Sequence, residues 1–237
     1  MRNSRFLFLF FVLILFSCKK DKQPPDLTGL LKKESHSGTR YMQYEYTPER
    51  KVEKIRVEPD HSVITFSYGD SRINVSSDII LFLDSDGRVY HEEKIATSTD
   101  PHIYVTHYKY DAAGHCIFKE TSGSAGPTDT DTLFCHYSNG NLDSIERTYY
   151  SYGFKTIRQY FTYYPGDTNS LSNAARGQPF MGLSSRNALE SVRMKNILGE
   201  DSILWSYFYV FDERGRIVRQ VKVIPGKPND TVWFEYF

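Results

Sequence analysis

Most of this chain is built from short runs in which apolar and polar residues alternate, and each run ends in a turn signal. Tyr41-Met42-Gln43-Tyr44-Glu45-Tyr46 leads into Thr47-Pro48-Glu49-Arg50, and Ile64 to Tyr68 leads into Gly69-Asp70. Ile79 to Leu83 runs into Asp84-x-x-Gly87, Ile103 to Tyr110 into Asp111-x-x-Gly114, and Leu133 to Tyr137 into Ser138-Asn139-Gly140. Ile157 to Tyr164 meets Pro165-Gly166, Ile203 to Phe211 meets Asp212-x-x-Gly215, and Val232 to Phe237 closes the sequence. Alternating β-branched and aromatic residues are the signature of strands. An Asp opening a turn accepts bonds from the amides that follow it, and a Gly three residues later supplies the positive φ that ends the turn. Each phrase therefore predicts a hairpin.

The turn glycines at 87, 114, 140 and 166 are spaced by 27, 26 and 26 residues, and Gly215 lies 49 further on. A period near 26 holds two strands and two turns, so each unit is one hairpin. The pattern predicts one all-β domain over residues 39–237: an antiparallel meander of about 12–14 strands, curved strongly or curled into an open or closed barrel. One stretch, Asn169 to Leu198, departs from the repeat. Asn187-Ala188-Leu189-Glu190 reads as a capping box there, which predicts about two turns of helix in an excursion covering an open end or a sheet edge.

The beginning of the chain has another character. Arg2 and Arg5 precede an unbroken apolar run of 11 residues, Phe6 to Phe16. That length suits a signal peptide and is short of the roughly 20 residues a membrane-spanning helix needs. Leu15-Phe16-Ser17-Cys18 resembles a bacterial lipobox, which implies a signal peptide over 1–17, lipidation (palmitate-type acylation) at Cys18 and a membrane anchor there. Lys19 rather than Asp follows, which by the same resemblance implies the outer membrane. Residues 18–38, with Pro24-Pro25 and several lysines, read as a flexible tether.

Composition narrows the partners. The 29 Lys and Arg balance 29 Asp and Glu, so no global field selects nucleic acid. Aromatics make up 15% of the chain, with 18 Tyr and 16 Phe, more than a disordered chain carries. Trp205, Tyr207, Tyr209 and Trp233 are the candidate ligand-contact aromatics, of a kind suited to a glycan or protein partner. Of 3 cysteines, lipidation would consume Cys18. A hairpin register centred between Ala125 and Gly126 would set Cys116 opposite Cys135 as a possible disulfide and pair Phe118 with Leu133; a slip of one residue would separate the thiols. His115 and His136 are too few to make a zinc site by themselves. Asp84-Ser85-Asp86-Gly87 reads as a turn rather than a calcium loop, and no nucleotide fingerprint or nucleophile elbow is present, so no cofactor and no catalytic residue is assigned.

The Tyr108-Lys109-Tyr110-Asp111-Ala112-Ala113-Gly114 phrase resembles the YD-type repeat of large bacterial wrapping proteins. With the lipobox and Gly182-Leu183-Ser184-Ser185-Arg186-Asn187, the chain resembles a family of uncharacterised Gram-negative, Bacteroidetes-type lipoproteins with a porin-like meander. The resemblance implies that fold over most of residues 40–237 and brings no catalytic residue with it. Arg50 and Arg72 stand where later units carry Gly, so the first two hairpins are expected to turn differently. Three functions remain: a non-catalytic binding or interaction module on the outer membrane, a periplasmic carrier of an apolar ligand, and a glycan-active hydrolase using carboxylates such as Asp143, Glu146, Asp201 and Glu235. The first is the reading the sequence favours.

Overall fold

The computed structural model describes residues 26–37, 40–96, 102–124, 130–150, 154–176, 178–195 and 201–237. They form a closed antiparallel barrel of 16 strands in which, apart from the closing pair of first and last strands, every neighbour in the sheet is a neighbour in sequence. The strands are β1 (Leu31–His36), β2 (Tyr41–Tyr46), β3 (Val52–Glu58), β4 (Ser62–Tyr68), β5 (Arg72–Val75), β6 (Ile79–Leu83), β7 (Val89–Lys94) and β8 (Tyr104–Tyr110). They continue as β9 (Cys116–Gly123), β10 (Thr130–Ser138), β11 (Asn141–Tyr150), β12 (Phe154–Thr168), β13 (Asn187–Lys195), β14 (Asp201–Phe211), β15 (Ile217–Val223) and β16 (Asp230–Tyr236). The seam is β1 against β16, with Leu31 opposite Tyr236 and Glu34 opposite Phe234. The stretch expected to be tether thus supplies the closing strand. Its physical warrant is burial: Leu30 and Leu31 are 2% and 0% exposed.

The repeated phrase is a turn, a clamp and a bulge in one. In Asp84-x-x-Gly87, the Gly87 N–H donates to the Asp84 carbonyl and the Asp84 N–H to the Arg88 carbonyl, with Gly87 at φ +76°. The Asp84 carboxylate accepts the backbone N–H groups of Asp86 and Arg88 and the Arg88 guanidinium. Asp212 holds Arg214 and Arg216 in the same way, and Asp111 holds His115. The third residue after each turn glycine is then an extra residue in its strand. Phe82 faces His91 while Leu83 faces Val89, leaving Tyr90 unopposed; Ile117, Asp143 and Val218 stand in the same place in their hairpins. Such bulges add twist and bend the strand, so one curvature element per hairpin curls the meander until it closes.

This arrangement explains the tyrosines. A carbonyl two residues after the turn lies beside the bulge, and a phenol from the next strand that runs toward the turns reaches it. Tyr110 donates to Val89 O at 2.8 Å, Tyr163 to Leu142 O at 2.8 Å and Tyr236 to Ile217 O at 2.9 Å. Tyr68 donates to Val52 O at 2.7 Å, and Tyr46 bonds Leu31 O. Each bond ties one hairpin to the strand before it. Arg50 takes the left-handed conformation (φ +65°) and its turn repeats the backbone bonding of the later ones, so the β2–β3 hairpin does not turn differently as expected. The β4–β5 turn does differ, being closed by the Gly69 N–H donating to Arg72 O.

All these turns gather at one end of the barrel, and residues 169–187 cross that end as a plug. The Ala175 carbonyl accepts the Leu31 N–H, the Leu183 N–H donates to Gly114 O, and the Arg186 N–H donates to Gly140 O. Ser170 Oγ accepts the Ile217 N–H, and Arg176 reaches Glu34 on β1 at 3.4 Å. Phe180 is driven into the barrel against Phe66 and Tyr68. The expected excursion over an open end is therefore present, but its helix is not. Asn187 to Glu190 belong to β13, where the Asn187 N–H is taken by Asn141 rather than by a helical cap, and the helical element of the plug is one short 3-10 turn, Pro179–Met181.

The core lies beneath the plug. One buried cluster joins β1, β2, β3, β15 and β16 through Leu31, Tyr44, Val52, Ile55, Ile217 and Phe234. A second joins β5 to β8 through Ile73, Leu81, Val89 and Tyr108, completed by Phe180 of the plug. The outer wall carries ion pairs instead: Glu45 with Arg56 at 2.6 Å, Glu146 with Arg158 at 2.6 Å, and Lys33 with Glu235 at 3.7 Å.

Candidate functional site

Strand register carries the inward face around the barrel. From buried Tyr108 it passes to Lys119, Leu133, Arg147 and Ile157, and from buried Thr106 to Thr121, Asp131 and Tyr149. From buried Val192 it passes to Trp205, and along β14 to Tyr207 opposite Lys222 and Tyr209 opposite Gln220. The plugged half of the interior is apolar and filled. Toward the opposite end the lining becomes polar and half-buried. Asp131 and Arg147 form a bidentate pair at 2.9 and 2.6 Å across β10 and β11, and their side chains keep 30% and 46% exposure although they point inward. Solvent therefore reaches these inward side chains, as expected when 16 strands leave more room than side chains fill.

The β14–β15 wall of this mouth is aromatic and cationic. Lys222 Nζ stands 4.3 Å from the centre of the Trp205 ring, a cation–π contact. Tyr207 and Tyr209 stack with ring centres 6.3 Å apart; Tyr209 donates to Leu189 O at 2.8 Å and accepts from Gln220 at 3.3 Å. Across the lumen Tyr108 donates to Glu92 at 2.6 Å, and Lys119 lies over the Tyr108 ring. Deeper, Tyr44 donates to buried Glu34, and burial, followed by the Glu34 charge, pushes the phenol up to about 12.

The four candidate aromatics thus divide. Trp205, Tyr207 and Tyr209 share the inner wall, whereas Trp233 is 45% exposed and stands on the outer face opposite Ser35 and Arg219. Cys18 lies outside the described residues. Cys116 and Cys135 are free thiols. The hairpin register pairs Phe118 with Phe134, one residue away from the pairing with Leu133 expected for a disulfide, and Cys116 Sγ donates to Phe118 O instead. His115 stacks on Tyr137 with ring centres 4.4 Å apart, while His136 lies in a shallow outer groove with Ser144, Glu146, Arg158 and Tyr160. Glu146 and Glu235 are tied into separate ion pairs on distant strands. Arg147, Lys119 and Lys222 were not singled out from sequence. Their signal was a charged residue in an otherwise apolar inward register, readable once the bulge positions are known.

The fold and its plug define a class: a closed 16-stranded meander barrel crossed by a plug at one end, with no such plug at the other among the described residues. No protein-family model and no curated protein sequence matches the chain. Its fold is similar to the crystal structure of a porin-like protein from Bacteroides uniformis ATCC 8492, with a TM-score of 0.63 at 13% identity over 89% of this chain and 99% of that one. A porin-like protein from Bacteroides vulgatus ATCC 8482 matches with a TM-score of 0.66 at 10% identity, over 88% of this chain and 98% of that one. At such identity the likeness concerns the fold, and it agrees with the porin-like meander that the sequence resemblance implied.

Proposed function

We propose that this protein is a non-catalytic binding module of the bacterial outer envelope, tethered by lipid at Cys18 and taking a polar, glycan-like ligand at the mouth of its barrel. The observation that carries this reading is the mouth itself, where Trp205, Tyr207 and Lys222 face a solvent-accessible interior that also holds the Asp131–Arg147 pair. Aromatic faces beside paired hydrogen-bonding groups suit the alternating apolar and hydroxyl surfaces of sugars. A conducting pore is not supported, because the plug crosses one end on backbone hydrogen bonds. Immersion in lipid is not supported either: charged residues on a lipid-facing strand cost about 2–4 kcal/mol each near mid-bilayer for Arg or Lys, and this outer wall carries several. A carrier of apolar ligands would need an unfilled apolar concavity, whereas the apolar half of this interior is packed.

The test is a glycan array probed with the chain from Lys19 onward, followed by titration of Trp fluorescence with the best hit. Saturable quenching that is lost in Trp205→Ala and kept in Trp233→Ala is the expected result. Quenching that survives Trp205→Ala, or binding to no glycan at all, ends the proposal.

A further inference from the structure

On the outer wall, away from the mouth, two histidines meet across neighbouring strands. His91 on β7 is the register partner of His107 on β8, and their Nδ1 atoms lie 3.3 Å apart. The rings are tilted by 46° with centres 4.8 Å apart, so they converge on a shared edge rather than stack. The opposite nitrogen of His91, Nε2, is 3.0 Å from Glu93 Oε1. Beyond His107, the register partner on β9 is Glu120. Phe82 lies 5.2 Å from the His91 ring, and Tyr90, the bulge residue of this hairpin, 6.2 Å.

We propose that His91 and His107 form a binding site for a divalent first-row transition metal ion such as zinc or copper. Three features of the pair point the same way. Zinc–nitrogen bonds of about 2.0–2.1 Å at tetrahedral angles place two ligand nitrogens about 3.3–3.4 Å apart, the separation found here. The same separation is within hydrogen-bond reach, so the two nitrogens already converge on a point that an ion can take over from a proton. The Glu93 carboxylate is placed to accept His91 Nε2–H, which leaves the Nδ1 lone pair free for the metal and raises its basicity, as carboxylates beside metal-bound histidines do. As direct register partners on neighbouring strands, His91 and His107 share one face.

No group of three or more His, Cys, Asp or Glu side chains among the described residues is arranged around an ion. The ion would therefore be held by two nitrogens, with its other positions left to water or to a donor from a partner. Such a site exchanges its ion readily and is weaker than a four-ligand structural site. Copper should bind it more tightly than zinc, following the usual order of affinities for imidazole.

The experiment is isothermal titration of the metal-free, untagged chain from Lys19 onward with zinc chloride and with copper sulfate. Imidazole nitrogen chemical shifts are followed by NMR in parallel. Expected are one ion per chain, perturbation of both Nδ1 resonances, and at least a tenfold loss of affinity in His107→Ala, an exposed position whose change spares the core. Glu93→Gln should weaken binding by less, and His136→Ala should leave it unchanged. If His91→Ala/His107→Ala binds as wild type does, if the shifts perturbed belong to other histidines, or if wild type takes up neither ion, the site does not exist.

Discussion

The Leu183 N–H donates to the Gly114 carbonyl at 2.9 Å, fastening the plug to the tip of the β8–β9 hairpin. The chain can come this close because Gly182, just before it, has no side chain. A Cβ at 182 would lie 2.6 Å from Tyr110 Cε1 and 2.8 Å from Gly114 O, and the residue sits at φ +79°.

Gly182→Ala should therefore unseat the plug. Contact with backbone and a ring at the heart of the clamp leaves no cheap adjustment, and strain of this kind costs about 1–3 kcal/mol before any plug contact is lost. Thermal unfolding should shift down, and amides of residues 183 and 186 should lose hydrogen-exchange protection first. Unchanged protection at both would show that the plug does not depend on this approach.

Tyr110→Phe removes one phenol and leaves the carbonyl of Val89, whose residue is 0% exposed, without its donor. An unsatisfied buried acceptor costs about 1–3 kcal/mol. Chemical denaturation should show a lower midpoint with the slope unchanged. Tyr90→Phe, at an exposed phenol of the same hairpin, is the control and should be neutral.

A chain trimmed to residues 39–237, the boundary the strand pattern first indicates, should not form the native barrel. It lacks β1, which exposes the edge of both β2 and β16 and removes Leu31 and Glu34 from the core and the plug. Open edges of this kind invite association. Size-exclusion chromatography should show aggregates for residues 39–237 and a single species for residues 26–237.

How far the sequence reaches is visible in these residues. Alternation and Asp-x-x-Gly turns announce strands and hairpins because both are local, and the spacing of the glycines announces the repeat. The bulge after each turn is equally local, but it becomes recognisable only in the partner strand, so the register of Cys116 and Cys135 came out one residue away from the expected one. The start of the domain was hidden for a different reason. Leu31-Lys32-Lys33-Glu34 is a strand because Phe234 and Tyr236 lie opposite it, about 200 residues away in sequence, and nothing nearby records that. The Asn187 capping box failed similarly: a good local helix start was overridden when Asn141 bonded its amide. The inward charges of the mouth were invisible until the faces were assigned.

The turn carboxylates set the behaviour in acid. Partial burial pulls the Asp84 and Asp111 carboxyls upward, but hydrogen bonds from the backbone amides and side chains of Arg88 and His115 outweigh it and hold both below their ordinary value of 3.8. Asp212 is held down by the Arg216 amide first. Groups depressed in the folded state contribute stability that is complete above the ordinary value and is lost as pH falls through the folded one. Melting temperature should thus drop as the pH goes from about 4 toward 2, and Asp84→Asn/Asp111→Asn/Asp212→Asn should flatten that drop. A triple variant that keeps the full acid dependence would place its origin elsewhere.

Both thiols should be slow to react. Burial, followed by the nearby Cys116, pushes the Cys135 thiol up to about 11, and burial raises Cys116 as well. Because the thiolate is the nucleophile, alkylation of native Cys135 near pH 8 should run about a hundredfold slower than in the unfolded chain. Denatured, unreduced protein should take up reagent at both positions. Uptake only after reduction would reveal a bridge between them.

The seam has a consequence for how the molecule comes into being. Of the barrel's strands β1 is the first to be synthesised, and its partner β16 is the last. Hairpin after hairpin can form as the chain emerges, but Leu31 has no second wall until Phe234 arrives. During that interval the leading strand and its apolar face wait unpaired, the period in which a folding chain is most exposed to proteases and to its own copies. Maturation of this barrel is therefore timed by its final strand, and a chaperone that shields the leading strand would act only until that strand is delivered.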